Sequence, residues 1–173
     1  MQMKVRMTLA AMAALLIAAG CATTGPRDYR ATAALQATTG NSTTGTVTFL
    51  QRGDKVFVNA DVRGLKPNAE HGFHVHEKGD CSSGDGMSAG GHFNPDGAAH
   101  AADAGHAGDM PNLKADAGGN AHASFEMKKM MVAAGQFSIV GKGLIIHRDP
   151  DDYKTQPTGN AGPRLACSVI AAS

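Results

Sequence analysis

The feature that most constrains the fold is an alternation of polar and apolar side chains with a period of two residues, repeated in short segments. Successive side chains of a β-strand point to opposite faces, so this period is typical of half-buried strands. Gly, Pro, Asn or Asp bounds each segment, as expected of turns. The segments are ATAALQATT, GTVTFL, KVFVNADV, HGFHVHE, AHASFEM, GQFSIVG, GLIIH and RLACSVI. About eight strands without a convincing amphipathic helix predict an all-β sandwich or barrel.

The first 20 residues differ in kind from these segments. Lys4 and Arg6 precede the apolar run MTLAAMAALLIAAG, which is too short to span a bilayer and is typical of an export signal. The run leads into Cys21 through the small residues AAG. This arrangement resembles the bacterial lipobox, in which the cysteine is lipidated and becomes the new N-terminus. Ala18 stands where leucine is more usual, so ordinary secretory cleavage, with Cys21 left as a spare thiol, is the alternative.

These features predict how the chain is divided. A signal peptide occupies residues 1–20, a lipidated tether 21–28, and one domain 29–173. The protein would then be exported to the periplasm or cell envelope and would touch a membrane only through its N-terminal lipid. Without residues 1–20 the chain has 14 basic and 15 acidic residues, so no nucleic-acid partner is expected.

The two other cysteines, Cys81 and Cys167, form one even pair in a chain that carries an export signal. Oxidising compartments favour pairing, so we predict a disulfide between them. Two buried free thiols are the alternative.

Two long glycine-rich segments, residues 78–120 and 148–163, interrupt the strand pattern and hold few large apolar side chains. Composition alone would favour flexible loops, and burial would not order them. The first loop, however, contains four side chains typical of zinc or copper sites, and His147 directly precedes the second. Metal binding could supply the energy that orders such loops. The four are His92, His100, His106 and Asp109.

One strand-like segment carries two further candidate ligands. His74 and His76 alternate with Phe73 and Val75, so the two pairs face opposite sides of the strand. We expect Phe73 and Val75 to face the core, and the histidines to face outward, where the long loops could cover them. The same alternation places His147 outward. A bare His-x-His pair is weak evidence, because an exposed polar face often produces it.

Four segments together resemble Cu/Zn superoxide dismutase of the exported bacterial type: GFHVHEKGDC, GGHFNP, HAGDMPNL and GNAGPRLACSVI. The resemblance covers nearly all of the chain beyond the N-terminal segment. It implies a flattened eight-stranded Greek-key β-barrel, an Ig-like sandwich with two long functional loops; this family is a standard example of that architecture. It also implies dismutation of superoxide to dioxygen and hydrogen peroxide by a redox-cycling copper beside a structural zinc, which would protect the cell envelope.

The resemblance assigns a role to each candidate residue. His92 would bridge the two metals and take up a proton during turnover. Arg164 matches the arginine that attracts the superoxide anion, and Lys154 either assists it or is merely solvated. Asp151 matches a carboxylate that links a copper ligand to a zinc ligand. Two four-coordinate sites need eight ligand positions, and the seven matching residues supply eight only if one bridges; a solvent molecule or an unused histidine is the alternative eighth ligand. Copper would take His74, His76, His92 and His147, and zinc would take His92, His100, His106 and Asp109.

Several features fall outside this assignment. We predict that His71 is buried and structural, that His122 is exposed on a strand, and that the methionines of EMKKMM pack in the core rather than bind copper. Pro163 departs from the family pattern, in which a small residue precedes the arginine. A homodimer is compatible with the sequence, which shows no exposed apolar stripe. The alternatives to an enzyme are a non-catalytic copper- and zinc-binding module of the same fold and a structural β-domain with an exposed histidine patch.

Overall fold

The alternating segments form antiparallel strands in the computed structural model, which describes residues 27–102 and 105–173. The predicted signal peptide and Cys21 lie outside the described residues. One turn of 3-10 helix, Met87–Ala89, is the sole helical element in the described ranges. The strands are β1 (Tyr29–Ala37), β2 (Thr44–Arg52), β3 (Lys55–Arg63), β4 (Glu70–His71), β5 (Phe73–His76), β6 (Leu113–Lys114), β7 (Ala121–Met127), β8 (Gly143–His147), β9 (Arg164–Val169) and β10 (Ala171–Ala172).

Eight strands form one curled antiparallel sheet, a half-barrel, in the order β5-β8-β9-β1-β2-β3-β7, with β10 also paired to β1. Strands β4 and β6 form a separate two-stranded sheet. Strands distant in the chain lie side by side, since β3 pairs with β7, β9 with β1 and β5 with β8. The all-β fold predicted from the alternation is confirmed.

The predicted strand in GQFSIVG is wrong. Residues 135–141 form turns, and the single bridge there joins Met131 to Ser138. Met131 donates its N–H to the Phe137 carbonyl and accepts the Ile139 N–H at its own carbonyl, at 2.8 and 2.9 Å. The segment therefore satisfies its backbone locally. Its sequence alternates as a strand does because Ile139 is buried in the core and Phe137 packs against that core.

Alternation along β5 separates a hydrophobic core from a polar face, as predicted. Phe73 and Val75 are fully buried in the main core, together with Leu144 and Ile146 of β8. His74 and His76 lie on the opposite face and are also fully buried. On that face Ile145 packs with Ala89 and Cys167 in a second, small cluster. The histidine face is therefore covered by the long loops rather than open to solvent.

The predicted disulfide is present. Cys81, in the first loop, bonds to Cys167 of β9, and their Cα atoms are 5.8 Å apart. The bond therefore ties the first loop to the strand that begins at Arg164.

The methionines of EMKKMM lie at the core, as predicted. Met130 is fully buried, and Met127 packs against the same cluster. Met131 is half-buried and makes the backbone contacts described above.

Within residues 27–102 and 105–173, no helix has the length and apolar character needed to cross a membrane.

Candidate metal centre

The first long loop lies along the outer edge of β5, which is an end strand of the sheet. Val75 donates its N–H to the Gly108 carbonyl at 2.9 Å and accepts the Phe93 N–H at its own carbonyl at 2.8 Å. Isolated bridges pair His74 with Asp109 and His76 with His92. Backbone hydrogen bonds to a strand edge thus place the loop's candidate ligands beside those of β5.

The expectation that burial would not order the first loop is wrong. Phe93, Ala107, Met110 and Leu113 are all buried in the main core. These side chains are few and widely spaced, and glycine and alanine surround them, so the composition of the segment conceals their effect.

Seven of the predicted residues come together as two groups of four that share His92. Within each group the candidate ligand atoms lie within 4.8 Å of one another, and every member is buried. One group contains His74, His76, His92 and His147; the other contains His92, His100, His106 and Asp109.

In the first group, each of the three histidines on β5 and β8 donates its outer N–H to a fixed acceptor. His74 donates from Nε2 to Asp151 Oδ2 at 2.7 Å, and His76 from Nδ1 to the Gly90 carbonyl at 2.9 Å. His147 donates from Nδ1 to the Gly162 carbonyl at 3.1 Å. An imidazole that donates from one nitrogen presents a lone pair on the other, so these contacts orient three lone pairs inward.

The inward nitrogens fit a metal ion better than they fit one another. His76 Nε2 and His147 Nε2 are 3.3 Å apart, although the tautomers above make both of them acceptors. His74 Nδ1 and His92 Nε2 are buried and, among the described residues, have no hydrogen-bond partner. Buried polar atoms are rarely left unpaired. Converging imidazole nitrogens are suited to copper or zinc.

The second group converges on Asp109. His92 Nδ1 lies 2.8 Å from Asp109 Oδ1, and His100 Nδ1 lies 2.7 Å from Oδ2. His106 Nδ1 lies 3.3 Å from Oδ1 and 3.5 Å from His92 Nδ1. Three imidazoles and one carboxylate are a ligand set that suits zinc. His92 thus directs Nδ1 to this group and Nε2 to the other.

Asp151 links the two groups from behind. Its Oδ2 accepts from His74 Nε2, and its Oδ1 accepts from His100 Nε2 at 2.8 Å and from the Tyr153 N–H at 2.7 Å. Burial alone would raise the pKa of Asp151, but the hydrogen bonds from His74 and His100 outweigh it and hold that pKa well below its usual range. The carboxylate is therefore ionised at neutral pH and orients both rings.

Burial keeps the three histidines of β5 and β8 neutral. It lowers the pKa of His74 to about 4, despite the opposing hydrogen bond to Asp151, and lowers the pKa of His147 to about 3. Burial also lowers the pKa of His76, and the charge of Arg164 contributes to that shift. For His100, burial acts in the same direction, but Asp151 and Asp109 outweigh it and the pKa is raised. Metal ligation requires neutral imidazole, which His74, His76 and His147 supply at pH 7.

Arg164 lies beside the first group. It begins β9 and pairs with His147 across the bulge that ends β8. Its Nη2 donates to the Gly90 carbonyl, which also accepts from His76, and its Nη1 donates to the Gly86 carbonyl at 2.7 Å. Burial lowers the pKa of Arg164, but guanidinium stays charged at working pH. A fixed cation therefore stands next to the four histidines.

The other singled-out residues lie outside both groups. His71 is fully buried, and its Nδ1 donates to the His147 carbonyl at 2.9 Å, which fits the predicted structural role. His122 is exposed on β7, as predicted, with Nδ1 3.7 Å from Asp61 Oδ1. Lys154 is exposed, and Pro163 accepts the Arg148 N–H at its carbonyl.

Sequence reasoning missed three side chains that hold the backbone of the two long loops at, or next to, predicted site residues. Gln156 contacts the backbone of His100, Asn112 hydrogen-bonds the backbone of Asp151, and Lys129 donates to the Gly105 carbonyl. No spacing or composition in the sequence marks them, because each acts on a residue far away in the chain.

Known proteins share both the sequence and the architecture. The family described as Copper/zinc superoxide dismutase (SODC) matches residues 43–170. A superoxide dismutase (Cu-Zn) of Paramecium bursaria Chlorella virus 1 is 43% identical over 135 residues, which cover 73% of this chain and 71% of the relative. Superoxide dismutase (Cu-Zn) 2 of Aquifex aeolicus is 41% identical over 133 residues, which cover 73% and 78%.

Two solved structures extend the likeness to the fold. A SOD-like protein from Bacillus subtilis superposes with a TM-score of 0.73 at 32% identity and covers 80% of this chain and 96% of its own. The clock protein EA4 superposes with a TM-score of 0.74 at 37% identity and covers 86% and 96%. These neighbours confirm the predicted Greek-key β-barrel. The family uses copper and zinc, and both groups of side chains here could hold a metal ion. On sequence, fold and site together, this chain belongs to the copper/zinc superoxide dismutase family.

Proposed function

We propose that this chain converts two superoxide anions and two protons into dioxygen and hydrogen peroxide, and so protects the cell envelope. The observation that carries the proposal is His92, which contributes one ring nitrogen to each group of four, with Nε2 buried and unpartnered among the described residues. Copper would be held by His74, His76, His92 and His147, and zinc by His92, His100, His106 and Asp109.

The two groups of ligands would have different roles in the reaction. Copper, when bound, supplies the one-electron redox chemistry that zinc lacks. Residues of the zinc group orient the shared ring, because Asp109 holds His92 Nδ1 at 2.8 Å and thereby sets the direction of Nε2. His92 Nε2 can hold one proton and pass it to a reduced oxygen species beside it. Hydrogen peroxide needs such a proton as it forms.

Arg164 binds and steers the substrate. Among the described residues, the Gly86 and Gly90 carbonyls accept two of its five N–H groups, and the charge stays beside His76 and His147. Superoxide is a small anion that a guanidinium can hold by paired hydrogen bonds. Electrostatic focusing, for which superoxide dismutases are a standard example, raises encounter rates by roughly 10- to 1000-fold.

Pulse radiolysis of the metal-loaded domain from Tyr29 onward tests the proposal. We expect copper-dependent superoxide decay that slows in Arg164→Ala and with rising salt. The control is Arg63→Ala, which removes an exposed arginine at the end of β3. No turnover, despite one copper and one zinc bound per chain, would instead identify a non-catalytic metal-binding module of the same fold.

We also propose that the protein is exported and anchored in the envelope through lipidated Cys21. The support is the basic start, the short apolar run and the AAGC junction. Mass spectrometry of the mature N-terminus would show a diacylglyceryl cysteine, and Cys21→Ser would abolish it. An unmodified N-terminus at another residue would indicate ordinary secretion.

Sedimentation of the domain from Tyr29 onward tests the homodimer that the sequence allows.

A further inference from the structure

Gln156 makes a paired contact with the backbone of His100. The His100 N–H donates to Gln156 Oε1 at 2.8 Å, and Gln156 Nε2 donates to the His100 carbonyl at 2.9 Å. A side-chain amide here satisfies both backbone groups of one residue, as a neighbouring strand would. The two residues are 56 positions apart in the chain, so the contact joins the two long loops.

The ring of His100 is held from the same loop. Its Nε2 contacts Asp151 Oδ1 at 2.8 Å, and Asp151 lies five positions before Gln156. Gln156 thus fixes the main chain of His100, whereas Asp151 fixes the rotation of its ring. The remaining nitrogen, Nδ1, then points at Asp109 Oδ2, 2.7 Å away.

The loop is folded tightly enough to maintain both contacts. The Gly159 N–H donates to the Thr155 carbonyl at 2.7 Å, which closes a turn around Gln156. Gly159 has a φ of +63°, and a Cβ there would lie 1.7 Å from Asp151 Oδ1. Glycine is therefore required for the turn to approach Asp151 and His100 this closely.

We propose that Gln156 is a positioning residue for zinc, acting through the backbone of His100. This inference rests on the proposed assignment of His100 as a zinc ligand. His74 and His76 on β5 and His147 on β8 hold their places through the sheet. His100 has no strand to hold it, so loss of Gln156 affects the zinc group more than the copper group. Partners that orient a ligand typically contribute 10- to 100-fold in metal affinity, and we expect about tenfold for a contact to the backbone.

Three variants separate this role from a general effect on folding. Gln156→Met keeps the length of the side chain and removes both hydrogen bonds to His100, together with a weaker one to the Lys154 carbonyl at 3.3 Å. Gln156→Glu keeps an acceptor for the His100 N–H and removes the donor. Gln36→Met is the control, since Gln36 is exposed on β1 and its side chain hydrogen-bonds only the Ala34 carbonyl of its own strand in the described structure.

Zinc affinity is measured by competition with a chromophoric chelator, and the geometry of the site by the visible absorption of cobalt(II) in place of zinc. Hydrogen exchange of the His100 amide in metal-free protein reports the contact itself. In Gln156→Met we expect faster exchange, about tenfold weaker zinc binding and an altered cobalt spectrum, with copper affinity within about twofold. Gln156→Glu should recover part of the zinc affinity, and Gln36→Met should match the wild type.

Wild-type zinc affinity and an unchanged cobalt spectrum in Gln156→Met would overturn the inference, even if the His100 amide exchanged faster. An equal loss of copper and zinc affinity would also overturn it, because it would indicate general loosening of the domain. A different failure belongs to the assignment beneath it. If His100→Ala bound zinc and cobalt as the wild type does, His100 would not be a ligand, and both the assignment of His100 to zinc and the inference about Gln156 would be wrong.

Discussion

Removal of the Cys81–Cys167 bond should cost the metal-free protein a large part of its stability. The two cysteines are 86 residues apart in the chain, so the bond closes a long loop in the unfolded state. In the chain-entropy model, closing a loop of this length removes about 15 cal/mol/K of entropy from the unfolded chain, which stabilises the folded state by about 4.6 kcal/mol at 25 °C. Domains of this size have a total free energy of unfolding of about 5–15 kcal/mol, so about 30% or more of the stability depends on one bond.

The perturbation is made in two ways that should agree. One is the double substitution Cys81→Ser with Cys167→Ser, and the other is reduction of the wild type with a phosphine. Urea unfolding of each metal-free protein, followed by circular dichroism, gives the free energy of unfolding by linear extrapolation. With a slope of about 2 kcal/mol/M, the midpoint should fall by roughly 2 M.

Kinetics show when the two cysteines come together during folding. If they meet before the transition state, loss of the bond slows refolding, and if they meet after it, loss of the bond accelerates unfolding. A loss of stability below about 1 kcal/mol in both preparations would refute the reasoning, because it would mean that loop closure removes almost no conformational entropy from the oxidised unfolded state. A large loss in the serine variant alone would attribute the effect to the substitutions instead.

Three further predictions follow from the site and the core. Asp151→Ala should weaken zinc binding about 10- to 100-fold, because His100 loses the acceptor that orients its ring, whereas Asp61→Ala on β3 should leave chelator competition unchanged. The metal-free protein should be most stable above about pH 6.5 and lose stability towards pH 4. Burial lowers the pKa of His74 to about 4 in the folded state, so the unfolded chain takes up a proton there at a higher pH than the folded chain does. This one group should remove about 2 kcal/mol of unfolding free energy by pH 5, as measured by urea unfolding at each pH. Stability that did not change between pH 8 and 5 would contradict this. Phe73→Ala should cost about 3–5 kcal/mol of unfolding free energy, because Phe73 is fully buried and packs edge-to-face with Phe125. A loss under about 1 kcal/mol would show that neighbouring side chains fill the space.

The strands that bear ligands were predictable because their pattern is local. Alternation in FHVH separates Phe73 and Val75 from His74 and His76, and the structure places the first pair in the core and the second opposite. The same rule failed for residues 135–141, where Phe137 and Ile139 pack inward from a loop whose backbone bonds to Met131. A period of two shows which side chains are buried, and it does not show whether the backbone has a strand beside it.

The sequence by itself determined the residue types of the candidate metal ligands, the turns that end each strand and the pair of cysteines. These depend on residue identity and on contacts within a few positions. The family resemblance had predicted that His92 belongs to both groups, and the structure agrees. Only the tertiary structure decided that the first loop lies on the edge of β5 and that Gln156 holds His100 from 56 residues away. The physical reason is that a hydrogen bond between distant residues leaves no trace in the spacing of either one. Its partners meet only after the sheet has curled and the loops have packed over its outer face.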